Sequence, residues 1–523
     1  MNESFIKPIR LKICDFCGTF SIVLTCLAFA AVTMVSFFVT CTVDVAFSAD
    51  NNEHVLFTRD SFFLNVLILI ACVGLLLLLL RCRVTHRSNR VLTLTMLAVI
   101  TALGIWWVQA SNPVPYADSQ LIIAQAQLLA VNDYASLAHS TYFRLYPFQT
   151  GFLLFAEGFA RIFGTVQLVQ LFPYFNILCV DAAYLVLVLM THSLFDDVRV
   201  TFLSILFLGL CLQPVFLCTF IYGVLPGFAL ALWGTYCVIR YLKGGRWTWL
   251  IGAALLLPLA LLLKKNYTIL LLANAIVLLL HALRKHTWKP VIMVVVLAVL
   301  AIVSPVLAQR SYEIRADTTL GKGMPQSAWL LMGLSESSMC SGWYNAQMSD
   351  IFAENDFDAE AMSSQYTDEI AGRIRYFSSR PRYLAAFTYY KIASQWNTPS
   401  FQSVWSSAAG DHSGELSPFV FSLCYGNASK HLETYFNFYI QLVYACFTVA
   451  LLLLCRHRNR TDGMLIFPLA ILGAFLYHAL FEAKAQYALI YIPMMLPLSA
   501  YALVRLKDTV DKQLNQRHRS ELL

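Results

Sequence analysis

Long apolar runs dominate this chain and restrict what it can fold into. About twelve are long enough to cross a bilayer as helices of ~18–25 residues. They fall at roughly 18–42, 61–80, 91–109, 168–192, 200–220, 223–242, 247–264, 266–283, 290–308, 435–455, 463–482 and 486–504. Lipid offers no partner to a bare backbone group, so helices are the default. Apolar residues make up 59% of the 523 and the mean hydropathy is +0.64, far above a soluble domain. The expected fold class is an all-α polytopic membrane protein of about 12 transmembrane helices. Interfacial helices are expected in its first long outer loop, with a small, mostly helical outer region.

Lys and Arg in the short loops orient the bundle. Lys7, Arg10 and Lys12 precede the first run, and Arg81, Arg83, Arg87 and Arg90 follow the second. Further groups are Arg240, Lys243 and Arg246; Arg284, Lys285 and Lys289; Arg456, Arg458 and Arg460; and the tail with Arg505, Lys507, Lys512, Arg517 and Arg519. Twelve spans put all of them on one side, taken as cytoplasmic. That side holds 22 Lys/Arg against 8 Asp/Glu, and the remainder 15 against 22. The net charge of +7 is therefore topology and not a nucleic-acid footprint. The run Thr150–Gly164 is too short for a crossing and carries Glu157 and Arg161. It is expected to be a helix in the outer interface.

The organisation that follows has four parts. Residues 1–90 hold two extra N-terminal spans, the first a signal anchor. Residues 91–308 form a transmembrane core with a long outer loop at 110–167. Residues 309–434 form an extracytoplasmic region, and 435–523 hold the last spans and a basic cytoplasmic tail. The 14 cysteines lie mostly in spans or on the inner side. Cys340 and Cys424 are the outer pair, whose disulfide is left open. The C-x-x-C at Cys14 and Cys17 has no second pair and reads as chance. The acidic stretch Glu354–Glu360 lacks the glycine and distal glutamate of a calcium loop and reads as a helix start, with a helix from Asp358 to Phe377. No P-loop, Rossmann glycine pattern or H-E-x-x-H motif is present.

Ionisable residues at span ends on the outer side are site candidates. Asp118, in P-Y-A-D-S-Q-L-I-I-A-Q-A, opens an amphipathic stretch. As a residue alone it reads first as an N-cap and second as a catalytic base. Asp133, beside Asn132, reads as a turn residue. Tyr142, Arg144, Tyr146 and Gln149 follow in Y-F-R-L-Y-P-F-Q-T-G and are candidates to line a substrate site, with Arg144 as a phosphate partner. Lys264 and Lys265 end a span on the side where the charge bias disfavours lysine, which suggests a specific anion. Glu482, Lys484 and Tyr487 sit in the turn before the last span, and His478 shares a helix face with Glu482. Asp181 lies mid-span with no role assigned. Each also has a structural reading: cap, headgroup contact or ion pair.

Several segments together resemble a known family. These are the long first outer loop with its Asp, then Y-P-F-Q-T-G, L-L-K-K-N, and Y-H-A-L-F-E-A-K-A-Q-Y before the last span. The segments at 332–345 and 394–405 add to this. The pattern, over about 91–504, resembles the GT-C superfamily of polytopic glycosyltransferases. It is similar to bacterial dolichyl-phosphate-mannose-type, or family 39, transferases. The resemblance implies transfer of a sugar from a polyprenyl-phosphate donor to a hydroxyl of an envelope glycan, lipid or protein acceptor. Reaction would occur on the outer face, with inversion. It makes Asp118 the catalytic base, and Arg144, Lys264, Lys265, Glu482, Lys484 and Tyr487 the donor-phosphate set. Tyr142, Tyr146, Gln149 and His478 would line the substrate. The family's acidic pair is reduced to Asp118, since Ser119 follows it; no cofactor is assigned, and a divalent metal is in doubt. Membrane lipid is the other expected partner, and nucleic acid is not one. One rival is a polysaccharide polymerase or ligase using a pyrophosphate-linked glycan through Arg373, Arg375, Arg380 and Arg382. A lipid or solute transporter is the other, and it should show repeat-related halves, which are not seen.

The charge asymmetry makes a test of topology. Cysteine-accessibility mapping should place residue 243 and the Arg83 loop inside, and Cys340 with 309–434 outside. Residue 243 accessible from outside would overturn the twelve-span arrangement.

Overall fold

The computed structural model describes residues 3–45, 53–407, 409, 416–456 and 461–521. Arg458 and Arg460 lie outside the described residues, as do the side chains of Lys7, Arg517 and Arg519. The chain is helical almost throughout. Helix α1 (Glu3–Ser36) leads through strands β1 (Val39–Val45) and β2 (Glu53–Arg59) to α2 (Phe62–Leu79) and α3 (His86–Ser111). The first long loop holds α4 (Ala117–Ala130) and α5 (Thr150–Phe163). Then come α6 (Thr165–Leu194), α7 (Val198–Leu210), α8 (Val224–Gly244), α9 (Thr248–Leu263), α10 (Thr268–Lys285) and α11 (Lys289–Arg315). A polar region with α12 (Gln326–Gly333), α13 (Ala359–Ser379) and α14 (Pro381–Trp396) follows. The chain returns to the bundle with α15 (Asn427–Arg456), α16 (Ile466–Leu480) and α17 (Tyr491–Glu521).

Among the described residues nine helices are long and apolar enough to cross a membrane. A tenth arises if α7 and the bent segment Gln213–Thr219 form one broken span. The other two expected crossings fall on α9, apolar but only 16 residues long, and on α17, whose apolar first half runs into a charged tail. The all-α polytopic class therefore stands.

The bundle has two chemically distinct ends. At one, Arg284 pairs with Asp15 and Asp462 at 3.0 and 3.3 Å, and His281 also meets Asp462. Lys243 meets Asp196, and Arg199 meets Asp508, at the same ends of their helices. Helices α9 and α16 run from this basic end to the other, where Lys264, Lys265 and Glu482 lie, and α10 runs back between the same two ends. The loop basic groups and the candidate site residues are thus at opposite ends of shared helices.

The first apolar run does not stay helical to 42. Helix α1 stops at Ser36, and Val39–Val45 pairs with Glu53–Arg59 in an antiparallel hairpin, Val39 opposite Arg59 and Val45 opposite Glu53. The backbone N–H of Cys41 donates to Asn397 O at 2.8 Å and that of Val55 to Met339 O at 3.3 Å. The hairpin is therefore held to the polar region, and two seven-residue strands need such packing to persist. Cys340 and Cys424 are both free thiols, so the disulfide left open by the sequence is not formed. Helix α13 starts as expected, with the Asp358 carboxylate accepting from the N–H groups of Glu360 and Ala361.

Helix α5 explains its own charges. It packs against α4, α6 and α11. Glu157 is only 3% exposed and accepts from Tyr312 Oη at 2.7 Å, Arg161 Nε at 2.9 Å and Arg315 Nη1 at 3.0 Å. Burial pushes its carboxyl up, and the Tyr312 hydroxyl and the two guanidinium groups more than reverse this, holding it below the ordinary range. Arg161 also donates to Leu129 O, Asn132 Oδ1 and Tyr134 Oη, which fastens the end of α4 to α5.

A carboxyl held low stabilises the fold above its unfolded pKa and loses that contribution as pH falls through the folded value. Glu157→Ala should cost about 3 kcal/mol, the low end for a broken buried pair, because both arginines can regain water. Thermal unfolding in detergent should also show less acid sensitivity than wild type. Unchanged melting at neutral pH would contradict this account.

Candidate active site at the end of the bundle

The site forms where three loops meet. The first turn of α4 brings Asp118. The cap position of that helix is Tyr116, and no side chain caps it, so Asp118 is the second helical residue and not the N-cap expected from its residue type. Ser119, fully buried, donates to Ile221 O at 2.7 Å. This bond fastens the start of α4 to the segment before α8. The next residue there, Tyr222, donates to Asp118 Oδ2 at 3.3 Å. Gln149 Nε2 donates to the same Tyr222 oxygen.

The second contributor is the end of α9. Lys264 lies beyond its last turn, outside the span, with its ammonium 4.2 Å above the Tyr222 ring and 5.9 Å from that of Tyr487. Close approach here depends on glycine. A Cβ on Gly223 would sit 2.0 Å from Leu263 O, and one on Gly151 would sit 2.1 Å from Leu262 O. Burial pulls the Lys264 ammonium down to about 8, against the opposing pull of Asp118 and Glu482.

The third contributor is the turn between α16 and α17. Glu482 is 8% exposed and accepts from Tyr487 Oη at 3.2 Å. Burial drives its carboxyl up to about 7, opposed by Lys484, Tyr487 and Lys264. His478 Nδ1 meets Glu482 O at 3.2 Å, and its ring stacks on Tyr487 at 5.3 Å. Lys484 pairs with Glu53 of the hairpin at 2.8 Å. Asp118, Glu482 and Lys484 all act on the Lys264 ammonium, and Lys484, Lys264 and Asp118 on the Glu482 carboxyl.

The remaining expected residues lie around this cluster. Tyr142 and Tyr146 stack edge-on at 5.1 Å. Lys265 sits 5.2 Å from the Phe148 ring. The Arg144 guanidinium lies 3.9 Å over Phe357 and makes no ion pair with the cluster among the described residues. Asp133 takes the turn role, accepting from Ser136 N at 3.2 Å, and mid-span Asp181 accepts from Thr101 Oγ1 at 2.5 Å. No three His, Cys, Asp or Glu side chains converge as a metal site among the described residues.

Sequence reasoning missed Tyr222, Glu53 and Lys391. Tyr222 is one aromatic among 25 tyrosines, and Glu53 opens a strand of a hairpin that the apolar pattern hid. Lys391, on α14, is 2% exposed, and its ammonium donates to the carbonyls of Gly333, Phe481 and Leu480. It thus ties the polar region to the turn that carries Glu482. Gly333 and Gly342 pack against this contact, and a Cβ on Gly342 would meet the Lys391 side chain at 2.6 Å.

Residues 150–308 are similar to a family of membrane glycosyltransferases of the GT-C type. The family is that of the dolichyl-phosphate-mannose-protein mannosyltransferases. No curated protein matches the chain. The matched segment runs from α5 through most of α11 and includes Tyr222 and Lys264. Asp118, Glu482 and Lys484 lie outside it.

Lys391→Met should leave three backbone carbonyls short of a donor. Bonds to a charged donor are worth about 1.5–3 kcal/mol, so a loss of that order is expected in thermal unfolding. Wild-type melting in this variant would mean the ammonium does not hold the turn.

Proposed function

We propose that this chain moves a sugar from a polyprenyl-phosphate donor to a hydroxyl of an envelope glycan, lipid or protein acceptor, on the outer face of the membrane. The observation that carries this reading is the meeting of Asp118 with Lys264 and Lys484 around Tyr222 and Tyr487. A carboxylate for a proton and ammonium groups for a phosphate are what the chemistry requires. The acceptor oxygen attacks the anomeric carbon, and its proton passes to Asp118. The bond from that carbon to the phosphate oxygen breaks, and the phosphate leaves with the electron pair beside Lys264 and Lys484. Attack opposite the leaving group inverts the anomeric centre.

Two further features support the lipid donor. A cleft beside the cluster is polar at Lys264, Asn266 and Gln486 and apolar at Val224 and Ile490, which suits an amphiphile. The cluster also lies at the end of the bundle opposite the basic loops, the outer end by charge bias. Of the four arginines a pyrophosphate-using polymerase would need, two are engaged elsewhere and two are exposed. Arg373 donates to Leu334 O, Arg380 lies over Tyr376, and Arg375 and Arg382 point to the surface of α13 and α14.

Transfer from defined polyprenyl-phosphate sugars in detergent, with products read by mass spectrometry, tests the assignment. Asp118→Asn keeps an acceptor for the Tyr222 hydroxyl and leaves the Ser119 anchor in place. It should lower kcat by about 10²–10⁴ with donor KM little changed. Lys264→Ala should raise donor KM about tenfold, the scale of one charge-assisted bond to phosphate. Turnover of Asp118→Asn within about twofold of wild type would remove Asp118 as the base.

A further inference from the structure

Lys264 and Lys484 face the same cluster, yet among the described residues only Lys484 pairs with a carboxylate. Lys264 rests on aromatic rings. Lys484 has Glu53, delivered by the N-terminal hairpin from 431 positions away. Glu53 is 4% exposed, and both its oxygens are taken: Oε1 by Lys484 Nζ at 2.8 Å and Oε2 by Gln402 Nε2 at 2.8 Å. A carboxylate so far from water is costly unless paired and hydrogen-bonded, so this placement is a built one. The hairpin is itself fixed, through Cys41 on Asn397, Val55 on Met339, and the Phe57 ring edge-on to Tyr390 at 5.1 Å.

We infer that Glu53 is a positioning residue of the candidate site, holding the Lys484 side chain charged and in place for an anionic substrate group. The inference rests on the reading of Lys484 as a donor-phosphate ligand. It extends the site into residues 1–90, which the family match does not reach.

The charge environment of Lys484 is defined on every side. Glu53 faces it from the hairpin, Glu482 and Tyr487 from its own turn, Asp118 from α4 and Lys264 from the end of α9. Tyr116 and Gln402 stand against Glu53. Burial alone pulls the Lys484 ammonium down; Glu53 is the largest opposing influence and leaves it above the ordinary lysine value. Lys264, without such a partner, falls to about 8. Removing the Glu53 charge should therefore let Lys484 behave as Lys264 does. It would lose its proton, and its hold on a phosphate, in mildly alkaline solution.

The test uses the full chain in detergent and needs no activity for its first arm. Competitive acetylation with isotopic acetic anhydride, read by peptide mass spectrometry, reports the titration of Lys484, whose side chain is 24% exposed. Glu53→Gln should lower the Lys484 midpoint, and Glu53→Asp should restore it. Gln402→Leu keeps the carboxylate but frees its second oxygen. It should give a smaller shift in the same direction, and it carries the test if Glu53→Gln folds poorly.

The second arm is kinetic. Glu53→Gln should raise donor KM about tenfold near pH 8.5 and less than twofold near pH 6.5, with kcat within twofold at both. A purely structural role would not produce a defect that acid repairs. An unchanged labelling midpoint in Glu53→Gln, or a KM defect equal at both pH values, overturns the inference. If wild type uses no polyprenyl-phosphate sugar, the donor reading falls and the labelling arm alone decides the role of Glu53.

Discussion

The site depends on one buried ammonium that is not part of it. Lys391 sits in a cage of three carbonyls, from Gly333, Leu480 and Phe481. Burial pulls it down to about 7, and nearby Glu482 opposes that fall. The cage joins α14 to the last turn of α16, so the turn bearing Glu482, Lys484 and Tyr487 takes its position from the polar region. The bundle helices supply direction, and this contact sets where their ends meet. The two glycines around it, Gly333 and Gly342, show how tightly the segments must approach.

Elsewhere the buried charges follow a common rule. Glu157 is matched by Arg161 and Arg315, and Glu53 by Lys484. Lys264 and Glu482 have no carboxylate or ammonium within ion-pair distance among the described residues, and their titration is displaced towards neutral pH. Matched pairs hold the frame. Groups poised near neutrality, in contact with Tyr222 and Tyr487, are where proton and phosphate chemistry fits best.

Much of the bundle was legible because lipid enforces a simple rule: a long apolar run becomes a helix. The start of α13 was legible too, since Asp358 is a cap by residue type and proves to be one. Asp118, Lys264, Glu482 and Lys484 stood out as ionisable residues at span ends, and they do converge. What stayed hidden depended on distant partners. The segment Val39–Val45 is apolar enough to extend a span, and its strand form comes from pairing with Glu53–Arg59 and from Asn397. Asp118 looked like a cap, but the helix begins one residue earlier, at Ala117. Arg144 looked like a phosphate ligand and instead lies over Phe357, a partner 213 positions away that no local pattern reveals.

The separation between Glu53 and Lys484 also has a consequence in time. Synthesis at about 5–20 residues per second puts some tens of seconds between the two residues leaving the ribosome. They stand 431 positions apart. Throughout that interval the hairpin carboxylate has no ammonium to meet, and the Lys391 cage lacks two of its three carbonyls. A newly made chain therefore passes most of its birth as an inserted but unassembled bundle. The cluster closes only when the last two helices arrive, so a chain cut short before residue 480 lacks Glu482, Lys484 and Tyr487 and the contacts that hold them.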